Sequence, residues 1–179
     1  NTESDAYIYA YWPEPDSCLH ELGADDPAVK TLLRDMEQQI EFALKQIRNK
    51  TDVLIIADHG HTDIESLFID DVPELLDCLL RPLSLESRCV SLFIKPECLA
   101  EFPGLFNKHF GKWFKLVTKS EFEKQYLHAE SPVRFIGDFV ALATDKYELK
   151  QRPDELLLKS HHAGITSDEL EIPVIKISI

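Results

Sequence analysis

Two kinds of hydrophobic spacing alternate along the chain. Val29, Leu32, Leu33, Met36, Ile40, Ala43, Leu44 and Ile47 recur at intervals of three and four, the spacing of one helix face. Asp26 stands before them as an N-cap with Pro27 at the first helical position, so a long amphipathic helix is expected over 27–49. Lys45, Arg48 and Lys50 gather at its end, where the helix dipole favours cations. Between such stretches lie short β-branched and aromatic runs. "AYIYAYW" (6–12) reads as a strand stopped by Pro13, and "DVLIIA" (52–57) as a strand buried on both faces, as in a helix-covered parallel sheet. Further strands are expected at 89–94, 112–118, 138–144 and 172–179. Asp71 can cap a helix through "PELLDCLL", residues 96–111 read as two helical pieces broken near Pro103 and Gly104, and Ser120 opens the helix "EFEKQYL".

Strands alternating with helices indicate an α/β layered fold with helices on both faces of the sheet. The pattern divides the chain into a core of residues 1–82 and 133–179 and a small inserted α/β subdomain at 83–132. With 179 residues there is enough chain for one real core. No apolar run approaches the ~20 residues of a membrane span, and "NTESDAYIYAYW" lacks the basic start and apolar middle of a signal peptide.

Composition narrows the partners. Nineteen basic against 32 acidic residues give a net charge of −13, and no basic run interrupts the sequence. Such a surface repels a phosphate backbone, so nucleic-acid backbone binding is not expected. A phosphate-bearing substrate would need local positive charge, and metal ions are the obvious source. Cys18, Cys78, Cys89 and Cys98 match neither a zinc knuckle nor a compact disulfide framework. They read as reduced thiols in a cytoplasmic protein.

The chemistry is concentrated at strand ends. "PEPDSCLH" follows the first expected strand, and its Asp16 and His20 are four apart, on the same side of a helical turn. "ADHGH" follows the second, bringing Asp58, His59 and His61, with Gly60 free to turn. Both groups leave the carboxyl end of a strand, where open α/β sheets keep their binding sites. A third group, "SHHAGITSDELEIPVI", carries His161 and His162. Nitrogen and carboxylate donors of this kind suit zinc, or manganese where oxygen dominates.

The three groups in this order resemble the alkaline phosphatase superfamily, in particular its type I phosphodiesterase and nucleotide pyrophosphatase branch. There a "PDxxxH" segment, an Asp-His-Gly segment after a strand and a late His-x-Gly segment hold two divalent ions. The resemblance runs from about Asp16 to "GITSDELEIPVI" and implies an alkaline phosphatase-like α/β fold, incomplete at the amino end. It implies that Asp16, His20 and His162 hold one metal and that Asp58 and His59 belong to the second, with zinc the expected ion and manganese the alternative. His162 is preferred to His161 because it has the family's spacing to Gly164, and His61 and His161 are candidates to orient a ligand. The implied reaction is hydrolysis of a small phosphoester, with two ions clamping the attacking and leaving oxygens.

The sequence departs from the family in one respect. The family's further metal Asp and its Thr or Ser nucleophile lie upstream, and Thr2, Ser4 and Asp5 stand before a strand rather than after one. The chain therefore reads as the carboxyl-terminal half of a phosphodiesterase domain, inactive alone, whose partners are the amino-terminal half or a second copy. The alternatives are a phosphomutase or monoesterase of the same superfamily and a non-catalytic α/β module with structural histidines. The remaining residues have plainer readings: His109 packs, His128 lies on a surface loop, Cys18 is a buried thiol, Asp25, Asp70 and Asp71 cap helices, and Glu169 is structural.

Overall fold

A computed structural model describes residues 5–128, 130, 133–151 and 158–179. Thr2 and Ser4 lie outside the described residues. In chain order the elements are α1 (Asp16–Leu22), α2 (Pro27–Leu44), β1 (Asp52–Ile56), β2 (Thr62–Asp63), β3 (Glu65–Phe68), α3 (Pro73–Leu76), β4 (Ser84–Glu86), β5 (Cys89–Leu92), α4 (Phe102–Phe110), β6 (Phe114–Thr118), α5 (Lys119–Phe122), β7 (Phe139–Ala143), β8 (Tyr147–Lys150), β9 (Ser160–His161), α6 (Ser167–Leu170) and β10 (Val174–Ser178). Short 3-10 turns at Ile69–Asp71 and Pro96–Cys98 and a π-helical turn at Glu123–Leu127 link them. Among the described residues no helix is long and apolar enough to cross a membrane.

The best-packed part is the four-stranded antiparallel sheet β4-β5-β7-β6, with α4 laid on one face. Phe102, Phe106 and Phe110 recur four apart, so one stripe of α4 enters the core with Phe114, Leu92, Val90 and Ala141. Pro103 sits in the first turn of α4, where a missing N–H costs nothing, and Gly104 continues the helix. The break expected near those two residues therefore falls just before them, at 99–101.

Among the described residues three two-stranded pairs make up the rest of the strands: β1 with β10 and β2 with β9, both antiparallel, and β3 with β8, which is parallel. The first corrects two expectations. β1 is not buried on both faces of a parallel sheet. It runs against β10, and Leu54 and Ile56 are 61% and 59% exposed. Residues 6–12 form no strand: among the described residues no partner strand lies beside them, and Tyr7, Ile8 and Tyr9 are exposed. Helix α2 starts as expected, with the Asp26 carboxylate accepting from Ala28 N–H at 2.8 Å, but ends at Leu44. Only Val29 of its stripe is fully buried. α3 is a single turn whose N-cap is Val72, not Asp71, and the helix expected from Ser120 is capped two residues earlier by Thr118. Asp70 instead accepts from the Gln151 side chain at 2.8 Å.

Candidate metal centre

Three segments distant in sequence meet beyond the ends of β1, β2 and β9. Helix α1 begins at Asp16, and one turn later His20 turns its Nε2 to within 3.4 Å of Asp16 Oδ1. Pairing of β9 with β2, Thr62 opposite His161 and Asp63 opposite Ser160, draws residues 159–162 alongside the Asp58–His61 segment. The same stretch holds α1, because Lys159 N–H donates to His20 O at 2.9 Å. Asp63 secures the exit from α1, accepting from Ala24 N–H at 2.7 Å.

The result is a convergence on one carboxylate oxygen. Asp16 Oδ1 lies 2.8 Å from His61 Nε2, 3.4 Å from His20 Nε2 and 3.8 Å from His162 Nε2. One ligand atom from each of these four residues lies within 4.8 Å of each of the others. Asp58 and His59, expected to serve a second ion, stand outside this set. The Asp58 side chain is 71% exposed and sits 3.7 Å from His59 Nε2. His59 reaches the cluster by stacking on His162, ring centres 3.7 Å apart. His161 takes no place in the set either: its Nδ1 accepts from His162 N–H at 2.8 Å.

Hydrogen bonds fix which nitrogens are free. His20 Nδ1 donates to Ser160 O at 2.8 Å, which leaves Nε2 with its lone pair facing Asp16. The Ser160 hydroxyl spends its one proton on Leu19 O at 2.8 Å, so its oxygen accepts from His61 Nδ1 at 3.0 Å. A neutral His61 then turns an unprotonated Nε2 toward the Asp16 carboxylate. Two acceptors 2.8 Å apart need a proton or a cation between them.

The electrostatics run the same way. Burial opposes charge at Asp16, yet the His61 hydrogen bond and the surrounding imidazoles hold its carboxyl below the usual range. Burial pushes His61 down as well, and burial together with His59 pushes His162 down to about 4. At neutral pH the site therefore offers one carboxylate and, at His61 and His162, imidazoles held in the neutral form, with His20 Nε2 beside them. That donor set fits a divalent borderline cation such as zinc.

His61, read from the sequence as an orienting neighbour, stands inside the cluster with its Nε2 2.8 Å from Asp16 Oδ1. The available signal was its spacing, two residues beyond His59 in "DHGH", together with the Ser160–His161 segment that β2 must pair with. Glu169 is buried, as a structural residue should be, in an ion pair with Arg88. Cys18 is half-buried and its thiol free. His109 pairs with Glu74, and His128 is exposed at a helix end with φ of 48°.

The chain has relatives among known proteins. A model of the family "Type I phosphodiesterase / nucleotide pyrophosphatase" matches residues 2–164. Human ectonucleotide pyrophosphatase/phosphodiesterase family member 5 is 25% identical over 72 residues, spanning 37% of this chain and 15% of that protein. Solved structures of the murine and human ectonucleotide pyrophosphatase/phosphodiesterase 5 share the fold. The murine structure gives a TM-score of 0.69 at 18% identity over 92% of this chain, and the human one 0.72 at 17% over 93%. An inactive variant of the murine protein in complex with AMP gives 0.68. In each case the chain covers 45% of the solved structure, less than half its length.

Proposed function

The chain belongs to the type I phosphodiesterase/nucleotide pyrophosphatase family, and from that premise we propose that Asp16, His20 and His162, with His61 against them, form one metal pocket of a two-metal phosphodiesterase site. The observation that carries this reading is the convergence of three imidazole Nε2 atoms on Asp16 Oδ1, at 2.8 to 3.8 Å. Asp58 and His59 are reserved for the second ion, whose other ligands come from the rest of the domain. A zinc ion bound here would supply Lewis acidity to a phosphoryl oxygen and to the leaving oxygen.

The chain's own residues prepare for it. The Ser160 carbonyl fixes the His20 tautomer, and the Ser160 hydroxyl does the same for His61. His61 holds the Asp16 carboxylate in position whether it donates a proton or shares a cation. The substrate class is a small phosphoester of the nucleotide kind, in keeping with the AMP bound by a structural relative. A chain of net charge −13 accepts such an anion only through cations held in the site.

The nucleophile and the remaining metal carboxylate of the family pattern have no match in this sequence, so this stretch alone is inactive and works with the amino-terminal half of the domain. The apolar face left open by Leu54, Ile56 and Val174 is the docking surface for that half.

Zinc titration against a chelating dye tests the pocket. Wild type binds tightly, and His162→Ala weakens binding by at least about a hundredfold, beyond the range seen for partners that only support a ligand. Absence of zinc binding by the folded wild type overturns the reading. Chelator-sensitive hydrolysis of a nitrophenyl phosphodiester by this chain alone would overturn the inactivity while leaving the pocket standing.

A further inference from the structure

Outside the four-residue cluster lies a buried ion pair that the proposed chemistry does not use. Arg88, in the turn between β4 and β5, and Glu169, in α6, have side chains 0% and 1% exposed. Arg88 Nε donates to Glu169 Oε1 at 2.5 Å and Nη2 to Oε2 at 2.7 Å, while Nη1 donates to Tyr147 O at 2.8 Å. A two-pronged guanidinium–carboxylate contact of this kind fixes orientation as well as charge.

What else Glu169 holds is more informative. Its Oε1 accepts from Gly164 N–H at 2.7 Å, and its Oε2 accepts from Thr166 N–H at 3.2 Å and Thr166 O–H at 2.6 Å. Gly164 is two residues beyond His162. The Glu169 main-chain carbonyl accepts from Gly60 N–H at 2.9 Å, and Gly60 lies between His59 and His61. A single residue thus grips both histidine-bearing loops, one through its carboxylate and one through its backbone. The contacts tolerate no slack. A Cβ on Gly60 would sit 1.9 Å from Asp168 O, and one on Gly164 would sit 2.6 Å from Glu169 Oε2.

We infer that Arg88 and Glu169 are positioning residues for the metal pocket: the ion pair sets the distance between the His162 loop and the His59–His61 loop, and so the bite of the donor set. Neither residue touches the proposed ligand atoms. Arg88 belongs to the four-stranded sheet through its carbonyl, which accepts from Ala143 N–H at 2.9 Å. The rigid sheet and its Phe-rich core therefore form the base on which the two loops are registered. A buried pair of this kind, broken on one side, leaves an uncompensated charge, so its members act together.

This inference rests on the metal-pocket reading, and the test separates the two. The probes are Zn2+ and Co2+ added to the full chain, with affinity from dye competition and coordination geometry from the visible bands of bound Co2+. Glu169→Gln keeps the size and one acceptor oxygen but loses the charge. It is expected to weaken Zn2+ binding about ten- to a hundredfold, the range for partners that hold a ligand in place, and to shift the Co2+ bands at saturation. Arg88→Lys, which keeps the charge without the two-pronged contact, falls between that variant and wild type. Leu75→Ala, in the core away from the site, lowers stability without moving either readout. Thr166→Val removes one hydroxyl donor to Glu169, supplying a milder variant that holds if Glu169→Gln fails to fold; it produces the same band shift in smaller degree. Wild-type affinity and unshifted bands in the folded Arg88 and Thr166 variants overturn the inference and leave the pocket intact. A wild type that binds neither ion overturns both.

Discussion

At the scale of single residues, the site is decided by where one proton or cation can sit. Asp16 draws three imidazoles around one oxygen, and each imidazole has its far nitrogen committed or its charge suppressed by burial. Gly60→Ala drives a methyl group into Asp168 O, so the loop carrying His59 and His61 must move; zinc affinity falls at least tenfold in a dye-competition titration while far-ultraviolet circular dichroism is kept. Burial raises the energy of the Glu169 carboxylate, but Arg88, Thr166 and Gly164 more than offset this and hold its pKa below the usual range. A carboxyl whose folded pKa is depressed contributes stability that is complete above its unfolded value, about 4.3, and is lost as pH falls through the folded value. Urea denaturation is thus expected to show that contribution unchanged from pH 7 to 5 and declining below about pH 4.3, with a shallower acid limb in Glu169→Gln. Burial pushes the Cys78 thiol up to about 12 and Cys89 up to about 11. Both stay unlabelled by iodoacetamide at pH 8 in the native chain and react once it is unfolded, as peptide mass mapping can read.

At the scale of elements, local signals served well where the chain supplies its own partners. The apolar stripe of α4 meets β5, β6 and β7, so the Phe102–Phe106–Phe110 repeat became core. Phe106→Ala leaves a cavity under the sheet and is expected to cost about 3–5 kcal/mol in chemical denaturation. The same kind of signal misled at β1. Four aliphatics in a row predicted burial on both faces, but β10 covers an edge and not a face, and Leu54 and Ile56 stay exposed. Residues 6–12 carry strand-like composition and meet no strand among the described residues. β2 and β9, each two residues long, were too short to show any period, yet their pairing brings His162 to the other histidines.

At the scale of the whole molecule, a well-packed half and an open half sit side by side. The sheet β4-β5-β7-β6 holds the buried clusters, whereas β1, β10 and much of α2 expose apolar side chains, Phe42 at 68% and Val174 at 65% among them. Structural relatives share the fold over 92% and 93% of this chain, which covers 45% of their own length. Replacing Leu54 and Ile56 by Lys places two charges on the open face of β1. By light scattering, that variant is expected to associate less than wild type, with itself or with the amino-terminal half of the domain, while its zinc affinity is unchanged. A monodisperse monomer for wild type at high concentration counts against an adhesive face.

From the sequence alone came the α/β class and, through the family resemblance, the proposal of Asp16, His20 and His162 as ligands, because residue spacing and donor chemistry are local properties that residue order carries directly. Two decisions belonged to the tertiary structure: the closeness of His61 to Asp16 and the Arg88–Glu169 brace. Each depends on a contact between segments far apart in the chain, 45 residues for His61 and Asp16 and 81 for Arg88 and Glu169, and such contacts are set by strand pairing and packing, which no local pattern encodes.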